Sequence, residues 1–422
     1  MVCKKTRTKN MLIQFTCSNH RSIKDLVTFS MAASTDSSFE ENLLSFGKGR
    51  YLRCAEIYGA NASGKTSLLD AMQLMSFIVN ESHHFNEDQL SQCRVPHKME
   101  KDDTPTSFGI IFEKNGTKYS YGFSYTDNKI IDEYLFYWPG MKKAKIFERD
   151  EKGFDFSPYF KKDAENCNDG RVKKYKLLLS IAKEETNIPE IADVYDFFQK
   201  DLVFFDYEYS NWFNYSAKQL RDNPKMKRLF LNFMHMLGVD IKDCEVVVDR
   251  SSMKQEMTFS RDESTKNASQ YKDDISVYVV YDKMTVNLKN ESSGIRNLFQ
   301  FLCPVIDIFI KDKVLFCDEL ERSLHPAIVS RLVQFFNSKS ESSAQLIFTT
   351  HNTDLLCVDE IRRDQIWFTE MKKKGRSTTL YSLAEIKDVR KDENFKKGYL
   401  SGRYGAIPIM NESFFERFVN EL

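Results

Sequence analysis

The stretch GANASGKT, residues 59–66, fits G-x-x-x-x-G-K-[ST]. No other feature of the chain restricts its fold so tightly. A loop of this type works only between a buried strand and the N-terminus of a helix, where backbone N–H groups and the helix dipole face a phosphate chain. The flanks meet that requirement. Ala55 to Tyr58 supply a short strand, and from Ser67 onward apolar residues recur at helical spacing. Gly59, Ala60, Asn61, Ala62, Ser63 and Gly64 would cradle phosphates with their backbone, with Ser67 following on the helix. Lys65 would reach the β- and γ-phosphates, and the Thr66 hydroxyl would ligate magnesium. ATP and Mg2+ are the expected cofactors.

Such a loop needs a second element, an apolar strand that ends in an acid. KVLFCDE provides it: Val314 to Cys317 are apolar, then Asp318 and Glu319 follow. Asp318 would hold magnesium through water, and Glu319 would polarise the attacking water as general base. Lys65 and Asp318 stand much farther apart than in a compact GTPase or small kinase core, so a large insertion must separate them. Just upstream of the acidic strand, NESSGIRNLFQFL sets Ser292, Ser293 and Gly294 at the start of a helix. Small residues and free N–H groups there suit either a bound anion or a plain helix cap. Downstream, LIFTTHN is a second apolar strand that ends in His351.

Taken in this order, the five elements resemble the ABC-type ATPase fold, in the branch shared by SMC and RecF proteins and the OLD-like ATPases of bacterial phage defence. The resemblance implies an α/β head: a mainly parallel, helix-covered core sheet, an antiparallel β lobe and an inserted helical region. It also implies that the nucleotide is sandwiched in trans, with Ser292, Ser293 and Gly294 of one subunit closing on the ATP of another. His351 would contact the γ-phosphate or the attacking water, and Arg21, in NHRSIKDL near the start, would approach the nucleotide. The chain departs from the family pattern in three places. The signature lacks the leucine and second glycine of transporter motors, SLHP stands where many members carry an aspartate, and the glutamine that usually contacts magnesium has no evident position. No heptads suggest an SMC-style arm.

Between the motifs the patterning changes twice. From Ser107 to Phe156 short alternating strands recur, with Asn115-Gly116 and Asp127-Asn128 at the turns. From Val172 to Gly238 the pattern is mainly helical, and strand character returns at CEVVVDR and ISVYVVYD around a polar loop. The expected division is a flexible extension at 1–10, and an N-terminal part of the head at 11–160 with the phosphate loop and β lobe. An inserted, mainly helical region with some strands follows at 161–290, then the C-terminal part of the head at 291–370 and a tail at 371–422.

Composition narrows the function classes. Lys plus Arg equals Asp plus Glu, 61 against 61, which argues against coating nucleic acid by bulk charge. Nine cysteines without a C-x-x-C pair fit reduced thiols in a cytosol. The apolar run NLFQFLCPVIDIFI is short for a bilayer and contains Asp307, and the basic N-terminus has no apolar core behind it. A cytoplasmic, non-membrane protein is expected. The sequence after His351 is too short for the Toprim nuclease fused to OLD proteins, and no D-x-D pair occurs. The tail KKGYLSGRYGAIPIM resembles that of stand-alone defence ATPases encoded beside a separate effector, such as the ATPase of PARIS systems or of AbiL-type abortive infection pairs.

Two readings result. The first is a slow regulatory ATPase of an anti-phage, abortive infection system. It forms a homodimer or higher oligomer through the ATP sandwich and controls a separately encoded nuclease or toxin. The second is a RecF/SMC-like clamp that closes on DNA in repair.

Overall fold

The computed structural model describes residues 10–161, 172–205, 212–251, 272–322, 324–356, 360–408, 417–419 and 421. The expected extension up to residue 9, most of the polar loop before Lys272, Ser323 of SLHP, and Ile409 and Met410 of the tail lie outside the described residues. Two compact units are present: Met1–Asp206, Ile308–Arg322 and Val329–Leu422 in one, Tyr207–Asp307 and Ser323–Ile328 in the other.

The larger unit starts with β1 (Met11–Ser18), β2 (Val27–Ser30), β3 (Leu43–Phe46), β4 (Gly49–Leu52) and β5 (Cys54–Tyr58). Helices α1 (Lys65–Glu81) and α2 (Gln89–Cys93) follow, then β6 (Thr106–Lys114), β7 (Thr117–Tyr125), β8 (Ile130–Trp138), β9 (Ala144–Asp150) and β10 (Gly153–Phe156). Next come α3 (Leu178–Glu185), α4 (Pro189–Asp196) and β11 (Leu202–Phe205). The smaller unit holds α5 (Trp212–Asp222), α6 (Pro224–Met236), β12 (Asp243–Ser251), β13 (Lys272–Val280), β14 (Thr285–Asn287) and most of α7 (Ser293–Ile310). The chain then gives β15 (Val314–Cys317), α8 (Pro326–Asn337), β16 (Gln345–Thr349), β17 (Ile366–Met371), β18 (Thr378–Ser382) and α9 (Phe395–Leu400).

Two sheets organise the larger unit. The antiparallel one runs β10-β9-β8-β7-β6-β1-β2. The aromatic-rich segment after α1 is therefore not a free-standing insertion. The N-terminal strands complete it, with Phe15 opposite both Ile110 and Phe29. Leu12 and Ile13 face opposite sides, as successive strand residues do, so β1 feeds two apolar clusters, and the register shift between Leu12 and Gln14 puts Leu12 on the same side as Phe15 and Cys17. The second sheet runs β11-β15-β16-β5-β17-β18, parallel except for the last pair. Every residue of β5, β15 and β16 is buried, which is why these strands read as mostly apolar runs without alternation. Helix α1 lies in the core between the sheets. Leu68, Met72 and Met75 share one cluster with Phe108 and Phe123 of the first sheet and with Ile57 and Ile347 of the second.

One side chain of β5 breaks the apolar rule. Glu56 is 1% exposed, and its carboxylate lies 2.9 Å from the Tyr58 hydroxyl. Burial pushes its pKa up to about 8, from an ordinary value of 4.5. Between those values the folded chain holds a proton that the unfolded chain releases. The associated stability is fully present below pH 4.5 and falls away as pH rises through 8. Glu56→Gln cannot ionise. Going from pH 6 to pH 9, the wild type should lose a few kcal/mol more unfolding free energy than the variant. Paired denaturant titrations at the two pH values would show it; parallel losses would mean that Glu56 is already charged in the fold.

In the smaller unit, α7 supplies the core. Phe299 packs on Phe213 and Phe230, and Phe301 stacks on Trp212. The apolar run alone is short for a membrane. As a helix it begins earlier, at Ser293, and its 18 residues are long and apolar enough to cross one by length and composition. Half of it is buried within the protein, as expected of a core helix.

Candidate nucleotide site

The parallel strands β5, β15 and β16 all release their chains at one end of the sheet, and the loop, the acidic pair and His351 follow from those ends. At the loop, the backbone rather than the side chains does the shaping. Gly64 has φ 111°, and a Cβ there would stand 2.1 Å from the Thr378 hydroxyl. A Cβ on Gly59 would stand 2.4 Å from both Ser63 Oγ and Thr369 Oγ1. Ala62 also has a positive φ of 61°. Asn61, Ala62 and Thr66 are exposed on the rim, while Ser63, Gly64 and Lys65 are buried. Lys65 Nζ donates to the carbonyls of Gly59 (2.8 Å) and Ala60 (3.3 Å). Burial pulls its pKa down; Asp318, Glu319 and Glu321 act against that pull.

The Thr66 hydroxyl donates to Asp318 Oδ2 at 2.9 Å. Asp318 Oδ1 in turn accepts from the Thr349 hydroxyl at the end of β16. That same hydroxyl accepts the Glu319 N–H at 2.8 Å. Glu319 is exposed and has a left-handed backbone, φ 51°. His351 is exposed too, and its N–H donates to Glu321 Oε1 at 2.5 Å. Lys65, Thr66, Asp318 and Glu319 are thus brought into one neighbourhood, with Thr349 as the joint between the strands.

A 590 Å³ cleft opens beside the loop, a volume that suits a nucleotide. Ser67 and Arg21 line it. Arg21 has φ 49°, and its guanidinium pairs with Asp70 of α1 at 2.7 Å. No glutamine is among the lining residues. In the smaller unit, Ser292 and Ser293 are exposed at the N-terminus of α7. Ser292 Oγ accepts the Ile295 N–H at 3.3 Å, so it caps the helix.

Sequence reasoning missed four hydroxyl residues. Thr349 is legible in hindsight, as a hydroxyl closing a buried strand. Ser22, Thr369 and Thr378 are not, because each meets the loop from a distant part of the chain. The Ser22 hydroxyl donates to Ser67 Oγ at 2.9 Å, and the Thr378 hydroxyl lies 2.9 Å from the Ser63 carbonyl.

The residues fit the expected ligands. The two glycines leave backbone where a Cβ would fill the cradle. Thr66 and Asp318 offer hard oxygen donors, the kind magnesium takes when phosphate and water complete its shell. Among the described residues no cluster of three or more His, Cys, Asp or Glu could hold a metal alone.

This arrangement defines an α/β P-loop protein with a mainly parallel core sheet. The chain belongs to the AAA_21 family, described as "AAA domain, putative AbiEii toxin, Type IV TA system", whose profile matches residues 55–359. No curated protein matches it. Among solved structures, it is similar to an SMC head domain from Thermotoga maritima, at 14% identity and TM-score 0.42 over 88% of this chain and 98% of that one. It is also similar to an Smc head with an extended coiled coil bound to the C-terminal domain of ScpA, derived from Pyrococcus furiosus. There the identity is 13% and the TM-score 0.43, over 94% of this chain and 99% of the other.

Proposed function

We propose that the chain is an ATP-hydrolysing switch in which two copies, head to head, each complete the other's nucleotide site. The observation that supports this is the exposure of the serines at the start of α7. Lys65, Thr66, Asp318 and Glu319 gather around one loop, while Ser292 and Ser293 stand exposed at the start of α7, ready for an anion presented from outside.

ATP with magnesium supplies the scissile phosphoanhydride and the Lewis acid. Lys65 gives up its loop carbonyls for the phosphates, and Thr66 and Asp318 hold the metal. Glu319 takes the proton of the attacking water. His351, tethered through its backbone to Glu321, orients that water or the γ-phosphate, and Ser293 and Gly294 of the second copy close the site. Biologically, we place this switch in an abortive infection system against phage, with ATP state governing a separately encoded nuclease or toxin. What supports the assignment to a defence system is the resemblance of the tail to stand-alone defence ATPases, beside a family description that reads "putative AbiEii toxin, Type IV TA system".

Complementation tests the sandwich. Lys65→Ala and Ser293→Arg should each be inactive alone. Mixed in equal amounts, they should recover about a quarter of wild-type ATPase activity, since half the dimers are mixed and each of those has one intact composite site. A mixture as inactive as its components would rule out a site shared between copies.

A further inference from the structure

The cleft continues past the phosphate loop into a slot lined by apolar side chains together with Lys98 and Arg376. One wall is the segment 95–99, the other the turn between β17 and β18. Val95 is 43% exposed and Met99 62% exposed, and both line the cleft with Pro96, Met371 and Arg376. Apolar side chains left open to water beside an anion site call for a ligand with a flat apolar face next to its charge.

The two walls are tied together. His97 is only 4% exposed. Its Nδ1 accepts the Met99 N–H at 3.2 Å, so the ring proton sits on Nε2, which donates to the Arg376 carbonyl at 3.2 Å. The backbone of the same segment is pinned to the turn after β1: His97 N–H donates to Asn19 Oδ1 at 2.9 Å, and Arg21 N–H donates to the Val95 carbonyl at 2.7 Å. From the far side, Thr378 N–H donates to the Ser22 carbonyl at 2.7 Å. A Cβ on Gly375, at the tip of the opposite turn, would stand 4.0 Å from the Met99 sulfur. The walls come into van der Waals reach at the Met99–Gly375 end, so the open part of the slot lies beside Val95, Pro96 and Arg376, and the buried His97 imidazole bridges the two sides.

We infer that this slot receives the purine base of the nucleotide, packed on Val95, Pro96 and Met99 and faced by the Arg376 guanidinium, and that His97 is the positioning residue that sets the slot's width. The inference rests on the nucleotide-binding reading above. Stacking removes apolar surface from water on one side of the base and adds a planar cation on the other. The phosphates are gripped by the loop whatever base they carry. His97 touches no ligand and acts through Met99 and Arg376.

Calorimetric titration of the full chain with MgATP and with magnesium tripolyphosphate separates the two halves of the site. Wild type should bind ATP at least about tenfold more tightly than tripolyphosphate. Met99→Ser and His97→Ala should each weaken ATP about tenfold and leave tripolyphosphate unchanged. His97→Gln should restore most of the ATP affinity, because its amide can accept from Met99 and donate to Arg376 as the imidazole does. Thermal melts would confirm that each variant is folded, and Met99 is open enough that Met99→Ser keeps the test alive if His97→Ala does not fold. Unchanged ATP affinity in Met99→Ser, or equal losses for both ligands, overturns the slot and leaves the phosphate site standing. A wild type that binds neither ligand overturns the nucleotide reading and the slot with it.

Discussion

Lys65→Ala should abolish measurable ATP binding, with an affinity loss of about 2–5 kcal/mol, or thirtyfold to several thousandfold. The size follows from the surroundings of the ammonium. It is 7% exposed, donates to two loop carbonyls, and feels three carboxylates, those of Asp318, Glu319 and Glu321. Without it, a triphosphate would meet Asp318, Glu319 and Glu321 with no ammonium in the loop to offset them. Calorimetry with MgATP measures the loss, and a melting curve close to wild type would confirm that the fold persists. Unchanged affinity would move the ligand out of the loop altogether.

Glu319→Gln should have the opposite signature. Binding survives, hydrolysis falls by about 10²–10⁴-fold, and the ATP-bound dimer accumulates. The substitution is clean because the anchor of residue 319 is its backbone N–H on Thr349 Oγ1, which glutamine retains. The exposed carboxylate is what changes, from a proton acceptor to an amide that cannot take a proton from water. Light scattering with saturating ATP and magnesium reads the outcome. A variant that remains monomeric under those conditions would remove the support for a shared site.

Much of the fold was legible because its signals are local. A strand, a loop and a helix adjacent in sequence fix Cys54–Glu81, and an apolar run ending in Asp-Glu marks Val314–Cys317 as a buried parallel strand. What stayed hidden depends on long-range pairing. Nothing in MLIQFTCS says that Phe15 will face Ile110, because alternation identifies a strand without naming its neighbour. The same holds at the site. The hydroxyls that hold Ser63 and Ser67 come from Thr378 and Ser22, and the slot beside the loop is assembled from three separate turns. The start of α7 was legible for the same local reason: Ser292 to Gly294 mark a helix N-terminus directly ahead of the apolar run.

The bond made by Thr349 carries a mechanical implication. One oxygen is pivot to two levers, the carboxylate assigned to the metal and the peptide that carries the assigned base. Neither lever can travel without dragging the other, so a nudge delivered at the tip of β16 would retime grip and cleavage together. A protein built this way is suited to all-or-none behaviour.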